Sequence, residues 1–237
     1  MREPRSLAKY RAAADLTLAD AYENFPKKNE IRDQLFIEQR GLCAFCGCQL
    51  INNPLKMKIA HWKPQKLKTY GENGEEEFPN RQHQLTYWNM LGVCCGNEGQ
   101  PYEKQHCDTH QANMSLSRNP AILAHRIEDI VSFPPDGSIV SSDEQFNREL
   151  GCAKDDGTFE EGVLNLNLSF LRTNRKQALN GFTSFIDKQS KGKKLTIPQL
   201  KKYLSEWRGD HKGELKPQAP VIAYWLRKRL ERELKKP

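Results

Sequence analysis

Six of the seven cysteines and four of the six histidines fall between Gly41 and Gln111. Cys43-Ala44-Phe45-Cys46 has the two-residue gap with which a tight turn points two thiolates at one tetrahedral ion. Alone, the pair fits a dithiol redox couple as well. A closed zinc site needs a second pair, and Cys94 with Cys107 offers one, thirteen positions apart. That gap exceeds the usual knuckle, so GNEGQPYEKQH between them reads as an excursion closed by the metal. Four thiolates fill the coordination sphere and leave no open position, which makes the expected role structural. Cys48 and Cys95 lie near enough in sequence to replace a ligand. Cys152 stands apart and reads as an ordinary small buried residue.

The elements around these ligands follow from periodicity. Residues 6–23 are alanine-rich and predict a helix with a narrow apolar face. A second helix over EIRDQLFIEQRG places Ile31 and Leu35 on one face, with Gln39 in phase and Gly41 as the stop. Leu55, Met57 and Ile59 alternate with Lys56, Lys58 and Ala60, the period of a half-buried strand, and His61 continues the apolar set before Pro64 ends the run. KTYGENGEEEFPNRQ carries an Asn-Gly turn and an acidic triplet and predicts a solvated loop. LTYWNMLGV predicts the returning strand into Cys94. Asp108-Thr109-His110-Gln111 has the shape of a capping box, so a short helix is expected to start there.

Strand, strand and helix, with a histidine closing the first strand, resemble the HNH or ββα-metal nuclease motif. The residues that carry the resemblance are Ile59-Ala60-His61-Trp62-Lys63-Pro64, Trp88-Asn89-Met90-Leu91 and Cys107-Asp108-Thr109-His110. With CAFC, WNMLGVCCGNEG, QHCD, SRNP at 117–120, LNLN and LRTNR, the chain resembles the PtuB-type nuclease subunits of Septu anti-phage systems, which also occur as retron-associated effectors. The match covers Gly41 to Pro120 well and the remainder loosely. The resemblance implies that His61 is the general base, that Asn89 orients it and pins its loop, and that one hard divalent cation, Mg2+ or Mn2+, serves the scissile phosphate. Asp108 and His110 are the implied ligands of that cation, with His83 as a further candidate. The family pattern also selects Cys94 over Cys95 for the zinc. Two positions depart from it: Ala60 has no ligand atom where an acid or histidine is usual, and Gln111 stands where a basic residue is common. Outside such a constellation His61 would be a plain buried histidine, Asn89 a turn residue and Asp108 an N-cap.

Downstream, HRIEDIVSF and GSIVS around Pro-Pro-Asp-Gly predict a hairpin. Leu164, Leu166 and Leu168 alternate ahead of a helix over 168–188, SKGKK is a basic joint, and two further helices are expected over 197–208 and 220–235. The last gathers Val221, Ile222, Trp225, Leu226 and Leu230 on one face, for core packing or for docking a partner. The expected class is therefore α+β and helix-rich: a helical segment over 1–40, a zinc-stapled ββα-metal HNH core over 41–125, and a mainly helical region with a hairpin over 126–237.

Charge and targeting bound the partners. With 37 Lys and Arg against 30 Asp and Glu the chain carries a net +7, which favours an anionic partner such as DNA or RNA. No apolar run approaches a spanning helix and the first residues lack the apolar stretch of a signal peptide, so no membrane partner and a cytoplasmic location are expected. There thiols stay reduced, which again favours metal over disulfides. The resemblance adds an ATPase partner of the ABC or SMC-like kind. A different class stays open, a zinc-stabilised nucleic-acid- or protein-binding module that has lost hydrolysis.

Overall fold

The structure, a computed structural model, describes residues 2–15, 20–154, 158–209 and 213–236. Helix α1 (Arg5–Ala13) buries only Leu7 and stops where Ala14 turns extended. The helix expected to Glu23 is thus shorter, because one buried residue gives it little packing to extend on. Residues 16–19 of that expectation lie outside the described residues, and 20–24 form turns that bury Tyr22. Helix α2 (Lys28–Glu38) packs Ile31 and Leu35 inward. Gly41, at a φ of +74°, then bonds back to the Phe36 carbonyl and turns the chain into Cys43.

Strand β1 (Met57–His61), β2 (Thr69–Tyr70), β3 (Glu76–Glu77) and β4 (Met90–Cys94) follow. β1 pairs antiparallel with β4, Met57 opposite Cys94 and His61 opposite Met90. Both strands are shorter than their sequence patterns. Leu55, 83% exposed, sits in a turn whose amide bonds to the Asn53 side chain, and Tyr87–Asn89 is a 3-10 turn. The expected solvated loop contains the exposed two-residue ladder of β2 and β3. Helix α3 (Cys107–Gln111) begins one residue earlier than expected and carries no capping box, since its N-cap is His106 and no side chain caps it.

Beyond it lie α4 (Ile127–Ile130), β5 (Val131–Ser132) and β6 (Val140–Ser141). The hairpin forms, but most of its expected first strand is a helical turn. Helix α5 (Glu144–Leu150), capped by Asp143, has no counterpart among the sequence expectations. Helices α6 (Ser169–Ser190), α7 (Ile197–Arg208) and α8 (Ala219–Leu234) close the chain, α7 opening on a Thr196–Gln199 capping box. The chain is a helix-rich α+β protein with small two-stranded sheets.

One apolar cluster runs from Leu7 to Leu171 and encloses the cysteines; a second joins Phe182, Ile186, Leu195, Leu200, Ile222 and Leu226. The apolar face of α8 is therefore spent on core packing. Among the described residues no helix is long and apolar enough to cross a membrane.

Gln39 couples the first core to the sheet. Its Nε2 donates to the carbonyls of Leu42 (2.8 Å) and Gly92 (2.7 Å), and its Oε1 accepts from the Gly92 amide at 2.6 Å. A two-stranded sheet leaves β4 an unpaired edge, and this amide satisfies both backbone groups there. Gly92 admits the contact because a Cβ would meet Met57 Cε at 2.3 Å and the Gln39 amide at 3.2 Å. Gln39→Ala is expected to destabilise the fold by about 1–3 kcal/mol, the cost of stranding half-buried backbone groups. Urea unfolding of the zinc-loaded protein measures it, with Gln39→Glu as the shape-preserving comparison.

Candidate functional site

The metal cluster is built by two turns brought together across β1 and β4. In the first, Gly47 takes a φ of +69° so that its amide bonds Cys43 O (3.1 Å), while Cys43 N bonds Cys48 O at 2.9 Å. Ala44 N reaches the Gly92 carbonyl at 3.1 Å, which docks this turn on β4. In the second, the 95–106 excursion closes through His106 N to Gly96 O at 3.0 Å. A Cβ at Gly96 would stand 2.1 Å from that His106 oxygen, so the closure needs glycine. Cys107 itself holds a φ of 55°, the left-handed region a side chain disfavours, and its amide is fixed by Leu164 O at 2.9 Å. Backbone strain at a ligand indicates that the surroundings over-determine its position.

A tetrahedral zinc with bonds of about 2.3 Å holds its sulfurs about 3.8 Å apart. Cys43–Cys107, Cys46–Cys94 and Cys94–Cys107 stand at 3.9, 3.8 and 3.8 Å. The remaining three pairs of this set also lie within 4.8 Å. Cys43, Cys46 and Cys107 are buried and Cys94 half-buried. Bonds of the kind thiolates accept are already in place: Cys94 N–H to Cys43 Sγ at 3.4 Å, and His106 Nδ1 against Cys107 Sγ at 3.1 Å. Burial pushes the Cys107 thiol up, whereas the bonds from Cys107 first and then Cys43 hold Cys94 far below the usual thiol range. Without a cation the set is split into thiolates and thiols; a dication lets all four ionise. The donor set fits a structural metal such as Zn2+.

Two further donors surround it. Cys48 Sγ lies within 4.8 Å of Cys43, Cys46 and Cys94, and a histidine nitrogen of His106 within 4.8 Å of Cys46, Cys94 and Cys107. Cys95 is not in either group; its thiol bonds Leu55 O at 3.4 Å. The Cys107 sulfur completes the measured edges, so Cys48 is the spare thiol and His106 a neighbour holding the ligand.

His61 ends β1 with its ring 9% exposed. Its Nε2 lies 2.9 Å from the Gln84 carbonyl, which can only accept, so Nε2 carries the hydrogen and Nδ1 the lone pair. The edge-on Tyr22 ring, 4.6 Å away between centroids, packs against it. Gln84 holds both, because its Oε1 also accepts from Tyr22 N at 3.0 Å. Burial pushes the His61 pKa below its ordinary value. Asn89 is fully buried and ties the loop after β1 in both directions: Oδ1 accepts from Lys63 N (2.8 Å), while Nδ2 donates to Lys63 O (3.1 Å) and His83 O (3.2 Å). Ala60, also buried, faces Leu91 across the sheet.

The other expected residues do not converge. Burial raises the Asp108 carboxyl to about 6, against the pull of the Lys58 charge. His110 turns toward the 161–163 segment: its Nδ1–H donates to Val163 O at 3.1 Å, its ring stacks on Tyr102 at 4.1 Å, and its Nε2 is 3.8 Å from Glu161. His83 is half-buried and tilts against Trp88 at 5.3 Å. Among the described residues, donor groups of three or more His, Cys, Asp or Glu occur only at the cysteine cluster, so no cation site is assembled around His61. Tyr22 and Gln84 carried no sequence signal, since one acts through ring packing and the other through a carbonyl. His106 did carry one, by adjoining Cys107.

No protein-family model matches the chain, and no curated protein matches it significantly.

Elemental analysis should find one zinc per chain. Cys107→Ser should lose it, while Cys48→Ser keeps it; the reverse outcome would transfer the ligand role to Cys48. Chelation should unfold the protein, because metal binding and folding share one free energy.

Proposed function

We propose that the chain is a metal-dependent HNH-type endonuclease that hydrolyses nucleic-acid phosphodiester bonds, with His61 as general base. The observation that carries this is the His61 tautomer. Donation of Nε2–H to a backbone carbonyl leaves a neutral imidazole with its Nδ1 lone pair available, the state in which a histidine takes a proton from water. Asn89 supports the same assignment by fixing the Lys63 backbone two residues beyond the base. The antiparallel β1–β4 pair and α3, joined through Cys94 and Cys107, supply a ββα frame around it.

A hard dication, Mg2+ or Mn2+, neutralises developing charge at the phosphate and leaving oxygen in such chemistry. The described residues form no donor group for it at His61, so no step is routed through it. Asp108 is the carboxylate we assign toward it, and the resemblance supports neither His110 nor His83 beyond that of a candidate. The same resemblance carries our placement of the chain as the effector subunit of an anti-phage complex of the PtuB type, working in the cytoplasm with an ATPase partner. One observation favours the second reading, a binding module without hydrolysis: Ala60, buried against Leu91, offers no ligand atom.

The zinc-loaded protein, alone and with an ATPase encoded beside it, should nick plasmid or cut RNA when given Mg2+ or Mn2+. His61→Ala should slow this at least about 100-fold with zinc content unchanged; undiminished cleavage would remove His61 from the mechanism.

The pH dependence has a defined sign. Burial lowers the His61 pKa below 6.5, so the base is neutral at and above neutrality. Cleavage should be flat there and fall as pH drops through the folded value. Because the unfolded chain binds that proton more readily, stability should also decline as pH falls below the unfolded value. Unfolding measured at each pH separates the two losses.

A further inference from the structure

The loop that Asn89 pins carries an aromatic and cationic cluster beside the His61 strand. Trp88, immediately before Asn89, is 38% exposed, which is high for so large a ring. The His83 ring lies against it at 5.3 Å, tilted 56°. Trp62, buried beneath, meets Trp88 at 6.0 Å and His125 at 5.4 Å, both edge-on. Lys63 Nζ stands 5.4 Å from the Trp62 centroid and 5.8 Å from that of Trp88. No carboxylate pairs with Lys63 among the described residues, so its charge is not neutralised within the chain.

The cluster is held from several sides. The Lys63 amide and carbonyl are both bonded by Asn89, and the Trp88 carbonyl accepts from Asn119 Nδ2 at 3.1 Å. Asn119 N in turn donates to His125 Nδ1 at 2.7 Å. Such anchoring exceeds what a surface tryptophan needs for solubility, and it spares the chain the ordering entropy of forming the surface on binding.

We propose that Trp88, His83 and Lys63 form a seat for one unpaired nucleobase and its phosphate, so that the substrate is single-stranded or locally unpaired where it is cut. This rests on the nuclease reading above and deepens it. An exposed indole presents a π-face on which any base can stack, and the adjacent ammonium suits the phosphate of the same nucleotide. A duplex offers no free base face, since its bases stack on each other. Burial first, and the Lys63 charge second, push the His83 pKa down, which keeps that ring neutral beside the cation. Trp62 and Lys63 directly follow His61, so a base seated here lies next to the nucleotide whose phosphate the base would serve.

The test uses the full zinc-loaded chain carrying His61→Ala, so that probes stay intact, and fluorescence anisotropy with labelled oligo(dT), oligo(U) and a duplex of equal length at one salt concentration. Single strands should bind more tightly than duplex, and the tighter of the two identifies whether deoxyribose or ribose strands are the source. Adding Trp88→Ala should weaken single-strand binding about 10- to 100-fold while Trp88→Phe retains most of it. Zinc content and near-UV circular dichroism check that each variant folds. Lys63→Gln, on a half-buried and unpaired side chain, should flatten the dependence of log affinity on log salt by about 0.7.

Unchanged affinity in Trp88→Ala, or duplex bound as tightly as single strands, would overturn the seat and leave the nuclease reading to its own cleavage assay. Failure of the Trp88-intact protein to bind any probe overturns the seat as well, and the nuclease reading falls with it only if the wild-type chain also fails to cleave.

Discussion

Everything near β1 and β4 depends on four sulfurs held within bonding distance of one point. A sheet of two five-residue strands is marginal at best in water. Binding of structural zinc to small folded peptides is worth about 10–16 kcal/mol at neutral pH, comparable to the whole stability of a typical domain at about 5–15 kcal/mol. The metal would therefore decide whether this region folds at all, not merely how firmly. The cross-link draws residues 43, 46, 94 and 107 together, which fixes both ends of the hairpin and the start of α3 at once. Four thiolates around a dication leave a net charge of −2, and a partly buried anion of that size needs compensation. The Cys94 amide and His106 supply polar bonds, and Arg175 supplies charge. Arg175 is nearly fully buried, with its guanidinium bonded to Gly137 O and Leu166 O, and burial lowers its pKa to about 10 while Cys46 and Cys107 pull it back up. The long α6 is thus anchored to the same centre through its first turns.

Rigidity passes from that centre to the histidine loop through buried amides. Asn89 clamps Lys63, Gln111 on α3 reaches the Met114 carbonyl at 3.1 Å and lies close to that of Trp62, and Gln39 holds the β4 edge. Asn165 ties the carbonyls of Glu103 and Gln105, closing the cysteine excursion from outside, and Asn167 bonds Ile139 on both sides and Gly151. Neutral amides suit this task because each offers donors and an acceptor without the desolvation cost of a charge. His61 sits at the junction, its ring aligned by Gln84 and Tyr22.

How much of this was legible in the sequence follows from the range of each interaction. Cysteine spacing, the β1 alternation and the capped α7 are local and could be read directly, and α7 matches its expected bounds of 197–208. Leu164 and Leu166 were legible as buried, but Asn165 and Asn167 beside them were not, because their partners lie at 103–105 and 137–151. Asp108 and His110 look like one ligand pair on paper. On a helix two residues apart point about 200° from one another, so one meets the field of Lys58 while the other turns toward Val163. Helix α5 was missed because its pattern is short and its cap at Asp143 follows a hairpin whose own extent was overestimated.

The absence of a ligand atom at Ala60 weighs differently for the two kinds of metal. A structural zinc must find all four donors in the protein, and here it does. A hard cation such as Mg2+ gives up its waters reluctantly and is usually held by one or two carboxylates together with substrate phosphate. On the proposed function a single carboxylate is then compatible with a site completed only when nucleic acid is bound. Asp108 has the character such a ligand needs: burial leaves it reluctant to ionise, to about 6, so an arriving dication removes a standing penalty and ordinary solvent cations have little to gain. A chain that binds zinc permanently and recruits its hard cation with the substrate would show the asymmetry seen here, one donor set closed and the other incomplete.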